Sequence, residues 1–191
     1  MRILRPMITA LVLLLAVASP PLAAQTIWSL GQSEQLDGLF DQLAIAEDEA
    51  TARELANEIW TIWTQPTNKA IAERVTEIIQ NSGLAGPFSR MPVIESLITD
   101  YPDYPEGWNW RATARFFGGD NAGALSDIEE VLKREPRHFG ALAGRAIILQ
   151  AQGKGAEALA AIREALAIHP FLPERQLFPD TAPPRAHRDE P

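Results

Sequence analysis

Apolar side chains return every three or four positions in separate blocks, divided by polar turns. Leu36, Leu39, Phe40 and Leu43 fall on one stripe, and Ala52, Leu55, Ala56, Ile59, Trp60, Ile62 and Trp63 on a second. A 3.6-residue period brings each set to one face, so each predicts an amphipathic helix. Asp48 stands before the second stripe as an N-cap. Ile71, Val75, Ile78 and Ile79 predict a third helix, followed by a turn through Gly83, Gly86 and Pro87. Ser89 is placed to cap the next helix, with Pro92 in its first turn. Further on, the blocks predict helices over about 106–118, 121–134, 139–152 and 155–168.

The later blocks repeat. Pro102, Pro136 and Pro170 stand 34 residues apart, and the same shift superposes Ile94, Ile128 and Ile162, then Ile98, Leu132 and Leu166. Between the last two units it also pairs Arg111 with Arg145, Ala112 with Ala146, Gly119 with Gly153, Ala124 with Ala158, Leu125 with Leu159 and Glu130 with Glu164. Alanines at fixed sites let neighbouring helices approach while isoleucine and leucine fill the space between them. Gly119 and Gly153 end the first helix of each unit, and the prolines end the second.

In these residues the chain resembles the tetratricopeptide repeat family, whose unit is two antiparallel helices in 34 residues. Trp108 takes the family's aromatic site, Ala112 its small site, Gly119 the turn, Ala124 and Ile128 the second helix and Pro136 its end. Leu142, Ala146, Gly153, Ala158, Ile162 and Pro170 repeat the series. The resemblance implies an all-α solenoid of helix-turn-helix units wound into a right-handed superhelix. Arg111 and Arg145 replace the usual leucine and Arg115 the usual tyrosine; each is expected to lay its stem on apolar surface with its head in water. Residues 105–170 thus form two clear units. Residues 25–104 read as an N-terminal helical cap joined to a worn unit, in which Ile78 fills the small-residue site. In 171–191, Phe171, Leu172, Leu177 and Phe178 are expected to fold back over the open end, and beyond Pro179 the composition is that of a disordered tail.

The first 24 residues are of another kind. Arg2 and Arg5 precede an apolar run, Met7 to Ala18, that Ser19-Pro20-Pro21 ends. This is the layout of a secretory signal peptide with cleavage after Ala24. A membrane span needs about 20 apolar residues, which favours cleavage over a retained anchor. The chain is similar in its order of elements to small exported repeat proteins of Gram-negative bacteria, and a periplasmic location is expected.

Charge and composition narrow the function. The 191 residues carry 17 Lys+Arg against 25 Asp+Glu, a net charge of −8 that argues against nucleic-acid or polybasic membrane binding. Without the signal the charge is −10, and residues 25–104 hold 13 acidic groups against 4 basic ones. The chain has no cysteine, which excludes disulfides, thiolate nucleophiles and thiolate metal sites and suits an oxidising envelope. Gly153-Lys154-Gly155-Ala156-Glu157-Ala158 fits the letters of a dinucleotide fingerprint, but a helix precedes it where a strand is required, and it falls on the repeat turn. His138 and His169 flank prolines at the ends of second helices, where an imidazolium would meet the negative end of the helix dipole; their spacing does not suggest a metal site. With no catalytic motif, no cofactor site and no metal site, the reading is non-enzymatic.

In the family that the repeats resemble, first helices line a concave groove for a peptide or helix. The resemblance places Asn109, Trp110, Thr113, Phe116 and Phe117 there, with Ala143, Gly144, Ile147 and Gln150 from the next unit; the alternative for Trp110, Phe116 and Phe117 is packing against the preceding unit. Adjacent positions differ by about 100° around a helix, so one of Phe116 and Phe117 should be accessible. The lysine and arginine clamp with which some members hold a C-terminal carboxylate is missing, and apolar and aromatic residues stand instead. The expected partner is therefore an unidentified protein or peptide, held by a periplasmic adaptor. The alternative is a structural subunit of an envelope or secretion complex.

Overall fold

The protein is described from a computed structural model over residues 27–80 and 87–181. The predicted signal with its cleavage point, the turn at Gly83 and Gly86, and the chain beyond Thr181 lie outside the described residues. Within them lie eight α-helices and no strand: α1 Leu30–Ala44, α2 Glu49–Thr64, α3 Lys69–Gln80, α4 Met91–Asp100, α5 Pro105–Phe117, α6 Asn121–Arg134, α7 Phe139–Ala151 and α8 Gly155–Ile168.

Local side chains set where these helices start. Ser29 and Gln32 form a reciprocal capping box on α1. The Asp48 carboxylate accepts from the Thr51 N–H at 2.9 Å on α2, which holds its pKa below the usual range. Asn68 caps α3 by accepting from the Ala70 and Ile71 N–H groups. Ser89 does not cap α4: it lies in a short 3-10 turn, Pro87–Arg90, and the capping position falls to Arg90, with Pro92 in the first turn.

Glycine ends α5 and α7 for a backbone reason. Gly119 and Gly153 have φ of +82° and +76°, where a Cβ would be strained. There the Asp120 N–H reaches back to Arg115 O and the Lys154 N–H to Leu149 O, which satisfies carbonyls at the helix end.

Helices then pack in adjacent pairs, α5 on α6 and α7 on α8, with α6 against α7 and α4 against α5. Ala112 and Ala124 are buried between them with Ile128, Val131, Ala141 and Ile148 in one cluster. A second cluster joins α3 and α4 to the start of α5 through Ile71, Ile94, Leu97 and Tyr104.

In the first helix pair, Leu39, Phe40, Leu43, Ile59, Ile62 and Trp63 share one core with α7, α8 and the segment after α8. The Trp63 ring stacks on His138 with centroids 4.2 Å apart and planes at 10°, while Trp60 meets His138 and Phe139 edge-on. The Tyr104 hydroxyl donates to Trp63 O at 2.6 Å. On the α1 side, Arg137 pairs with Asp37 at 2.8 Å and lies over the Phe40 ring. The end of α2 is thereby fixed to the beginnings of both α5 and α7.

In the C-terminal segment Leu172 and Phe178 are buried in the same core and Phe171 is half-buried against it, while Leu177 is 53% exposed. Between them runs a second 3-10 turn, Pro173–Leu177.

Because Trp63 is wholly buried at a junction of three helices, Trp63→Ala is expected to lower unfolding free energy by about 3–5 kcal/mol. Phe117→Ala, at a site 68% exposed, should change it by less than about 0.5 kcal/mol. Equilibrium denaturation of the two variants tests the contrast.

Candidate partner-binding site

The side chains available to a partner are determined by what the repeat packing already uses. Trp108 is half-buried and structural: its indole N–H donates to Pro102 O at 2.8 Å, and the guanidinium carbons of Arg111 and Arg134 each lie 4.9 Å from its ring centre. Arg111 does not carry its head into water. It grips Asp127 through two hydrogen bonds of 3.0 and 2.8 Å, and Arg115 adds a third at 2.8 Å. The Asp127 side chain is only 2% exposed, so the departures from the family pattern form a charge cluster between α5 and α6. In the next unit Arg145 pairs instead with Glu164 near the surface.

His138 also differs from its expected role. It is the N-cap of α7, with Nδ1 accepting from the Ala141 N–H at 3.0 Å. The ring proton therefore sits on Nε2 and is donated to Glu106 Oε1 at 2.6 Å, both side chains being fully buried. Asn109 donates to the other oxygen of Glu106 at 2.9 Å. Glu106 lies in the first turn of α5, where the helix dipole favours its negative charge. Nearby burial, with the negative charge of Glu106, holds the Tyr104 hydroxyl well above the usual phenol range. His169 does end α8, but burial lowers its pKa to about 4, so it is neutral at pH 7.

The expected groove residues separate into two groups. Asn109, Thr113, Phe116, Phe117, Ala143, Gly144 and Ile147 line one cavity of about 330 Å³ between α5 and α7. Its wall is mostly apolar, with Ile128 and Ile148 beneath and Phe117 on the rim. Phe116 is half-buried against the α5–α6 core, so Phe117 is the more accessible of the two. Trp110 is not in the groove; it packs edge-on against Tyr104, ring centres 6.1 Å apart, in the α3–α4 cluster. Gln150 is not free either, since its amide donates to Leu177 O at 3.3 Å.

Two lining residues are shared with a second cavity. Glu174, from the turn after α8, and Gly140, at the start of α7, line this cavity and also an adjoining one of about 220 Å³ beside Trp60 and His169. A Cβ on Gly140 would lie 3.0 Å from the Trp60 ring, so glycine is what allows α2 and α7 to meet there. Periodicity carried no signal for Glu174, which lies beyond the last unit. For α2 a signal did exist: Tyr104, His138 and Leu172 occupy one repeat position, and all three are buried.

Among the described residues there is no group of three or more acidic, histidine or cysteine side chains placed to hold a metal ion. Among them, too, no helix is long and apolar enough to cross a membrane.

A TPR repeat-containing protein of Rhizobium etli is 38% identical to the chain over 146 residues, which span 74% of this chain and 70% of that protein. The chain matches no family model, and no solved structure matches it.

Two outcomes follow from the buried ionisable groups. Asp127→Ala leaves two guanidinium groups without their carboxylate and is expected to cost about 3 kcal/mol in denaturant unfolding. For His169, between pH 6.5 and about 4 the unfolded chain binds a proton that the folded chain does not. Stability should therefore fall as pH falls through that window, and the pH dependence of His169→Gln should be flatter there than that of the wild type.

Proposed function

The chain belongs to the tetratricopeptide repeat family, and from that premise we propose that it is a periplasmic adaptor that binds a peptide or helix of a partner protein in the groove between α5 and α7. The family is typically one of non-enzymatic protein-interaction modules. One observation carries the reading to this groove: side chains from two successive units converge on a single apolar cavity with an exposed phenylalanine at its rim. Exposed aromatic residues beside a shaped apolar pocket are typical anchors of protein binding. The buried hydrogen bond between His138 at the start of α7 and Glu106 of α5 holds these two helices in fixed relation, which supports a groove formed before a partner arrives. The signal-like first 24 residues and the absence of cysteine support the envelope as its compartment.

The test is photocrosslinking in the native host from a reactive side chain placed at position 113, with the cell fractionated beforehand. A defined protein should be captured from the periplasmic fraction, and Phe117→Ala or Ile147→Asp should reduce that capture at least about tenfold. A chain found only within a large assembly, with crosslinks indifferent to both substitutions, would point instead to a structural subunit of an envelope complex.

A further inference from the structure

The groove ends on a residue outside the repeats. Glu174 sits in the Pro173–Leu177 turn, which is anchored on one side by the buried Leu172 and Phe178 and on the other by the Gln150–Leu177 hydrogen bond. Its carboxylate stands where the two cavities adjoin. Among the described residues, it is the one ionisable side chain on the wall of the larger cavity. Its Oε2 is withdrawn from solvent, and no donor reaches it.

Withdrawing a carboxylate oxygen from water without a hydrogen bond costs free energy that a partner can return by supplying the donor. An ammonium or guanidinium group is the donor that also balances the charge. The second cavity offers that cation a favourable surface, because Trp60, Phe139 and Phe171 all contribute to its lining. Arg53 and Glu49, one turn apart on α2 and both exposed, stand on its outer side with opposite charges. The apolar wall at Phe117 and Ile147 asks for something else, a hydrophobic side chain.

Resting on the groove reading above, we propose that Glu174 makes this groove selective for a partner segment that carries a lysine or arginine beside an apolar residue. The apolar residue fills the cavity between α5 and α7, and the basic one reaches Glu174 at its end. The excess of acidic groups in residues 25–104 favours approach of the same kind of partner. A segment with a carboxylate in place of the basic group would meet like charge at Glu174 and be rejected.

The experiment uses short blocked peptides that carry phenylalanine and, beside it, lysine, glutamine or glutamate, titrated against the purified chain by fluorescence anisotropy. The lysine peptide should bind about tenfold more tightly than the glutamine peptide, and the glutamate peptide should bind least. Glu174→Gln should abolish the difference between lysine and glutamine, and Glu174→Lys should invert the order. Circular dichroism checks that both variants keep their helices. Phe117→Ala separates the two readings. If it weakens all peptides but no lysine preference exists in the wild type, or the preference survives Glu174→Gln, the selectivity assigned here is overturned while the groove stands. Binding indifferent to Phe117→Ala, or no binding by any peptide, overturns the groove and this inference with it.

Discussion

The seating of Trp63 on His138 is the contact on which the remaining arrangement depends. It joins the end of α2 to the start of α7 through a face-to-face stack, and His138 in turn joins α7 to α5 through Glu106. Each member has a second role. His138 caps α7 with the nitrogen it does not give to Glu106, Glu106 also holds Asn109 on the groove wall, and Tyr104 secures the Trp63 carbonyl. A fully buried histidine, carboxylate and tyrosine would be costly if any one lost its partner. Together they fix where α2 lies, and α2 supplies the wall of the smaller cavity.

Packing the first helix pair onto the last unit gives a short repeat array the buried surface that two clear units lack by themselves. The core of α7 and α8 is largely alanine, with Ala143, Ala146, Ala158, Ala161 and Ala165 all buried. Such small residues contribute little apolar surface each, and the larger side chains that cover them come from α1, α2 and the C-terminal segment. Around the cavity between α5 and α7, Gly140 lies against Trp60 and Gln150 is engaged by Leu177.

Much of this was legible in the sequence. The 34-residue spacing of Pro102, Pro136 and Pro170 reflects a local geometry, and so do the helix blocks of α5 to α8, whose positions are set by glycine turns and by helical period. Asn109, Thr113, Phe116, Phe117 and Ile147 line the cavity between α5 and α7 because their direction follows from their place within a unit. Trp110 and Gln150 stand apart from it because their surroundings come from outside their own unit, from Tyr104 and from the segment after α8. The arginines at 111 and 115 carry no solvated head because both reach Asp127, 16 and 12 positions further along on the neighbouring helix, a partner that the repeat period does not mark.

By itself, then, the sequence determined the helices, their turns and the repeat, because these depend on interactions among residues a few positions apart and on a period that can be counted. Which face α1 and α2 would cover, which partners His138 would have and which charge would line the cavity between α5 and α7 were decided only by the tertiary structure. Those outcomes depend on contacts such as Trp63 with His138 and Arg137 with Asp37, the latter spanning 100 positions. At that distance along the chain no periodic signal links the partners, and only the packing of alanine-rich helices against the large side chains that can cover them brings the two together.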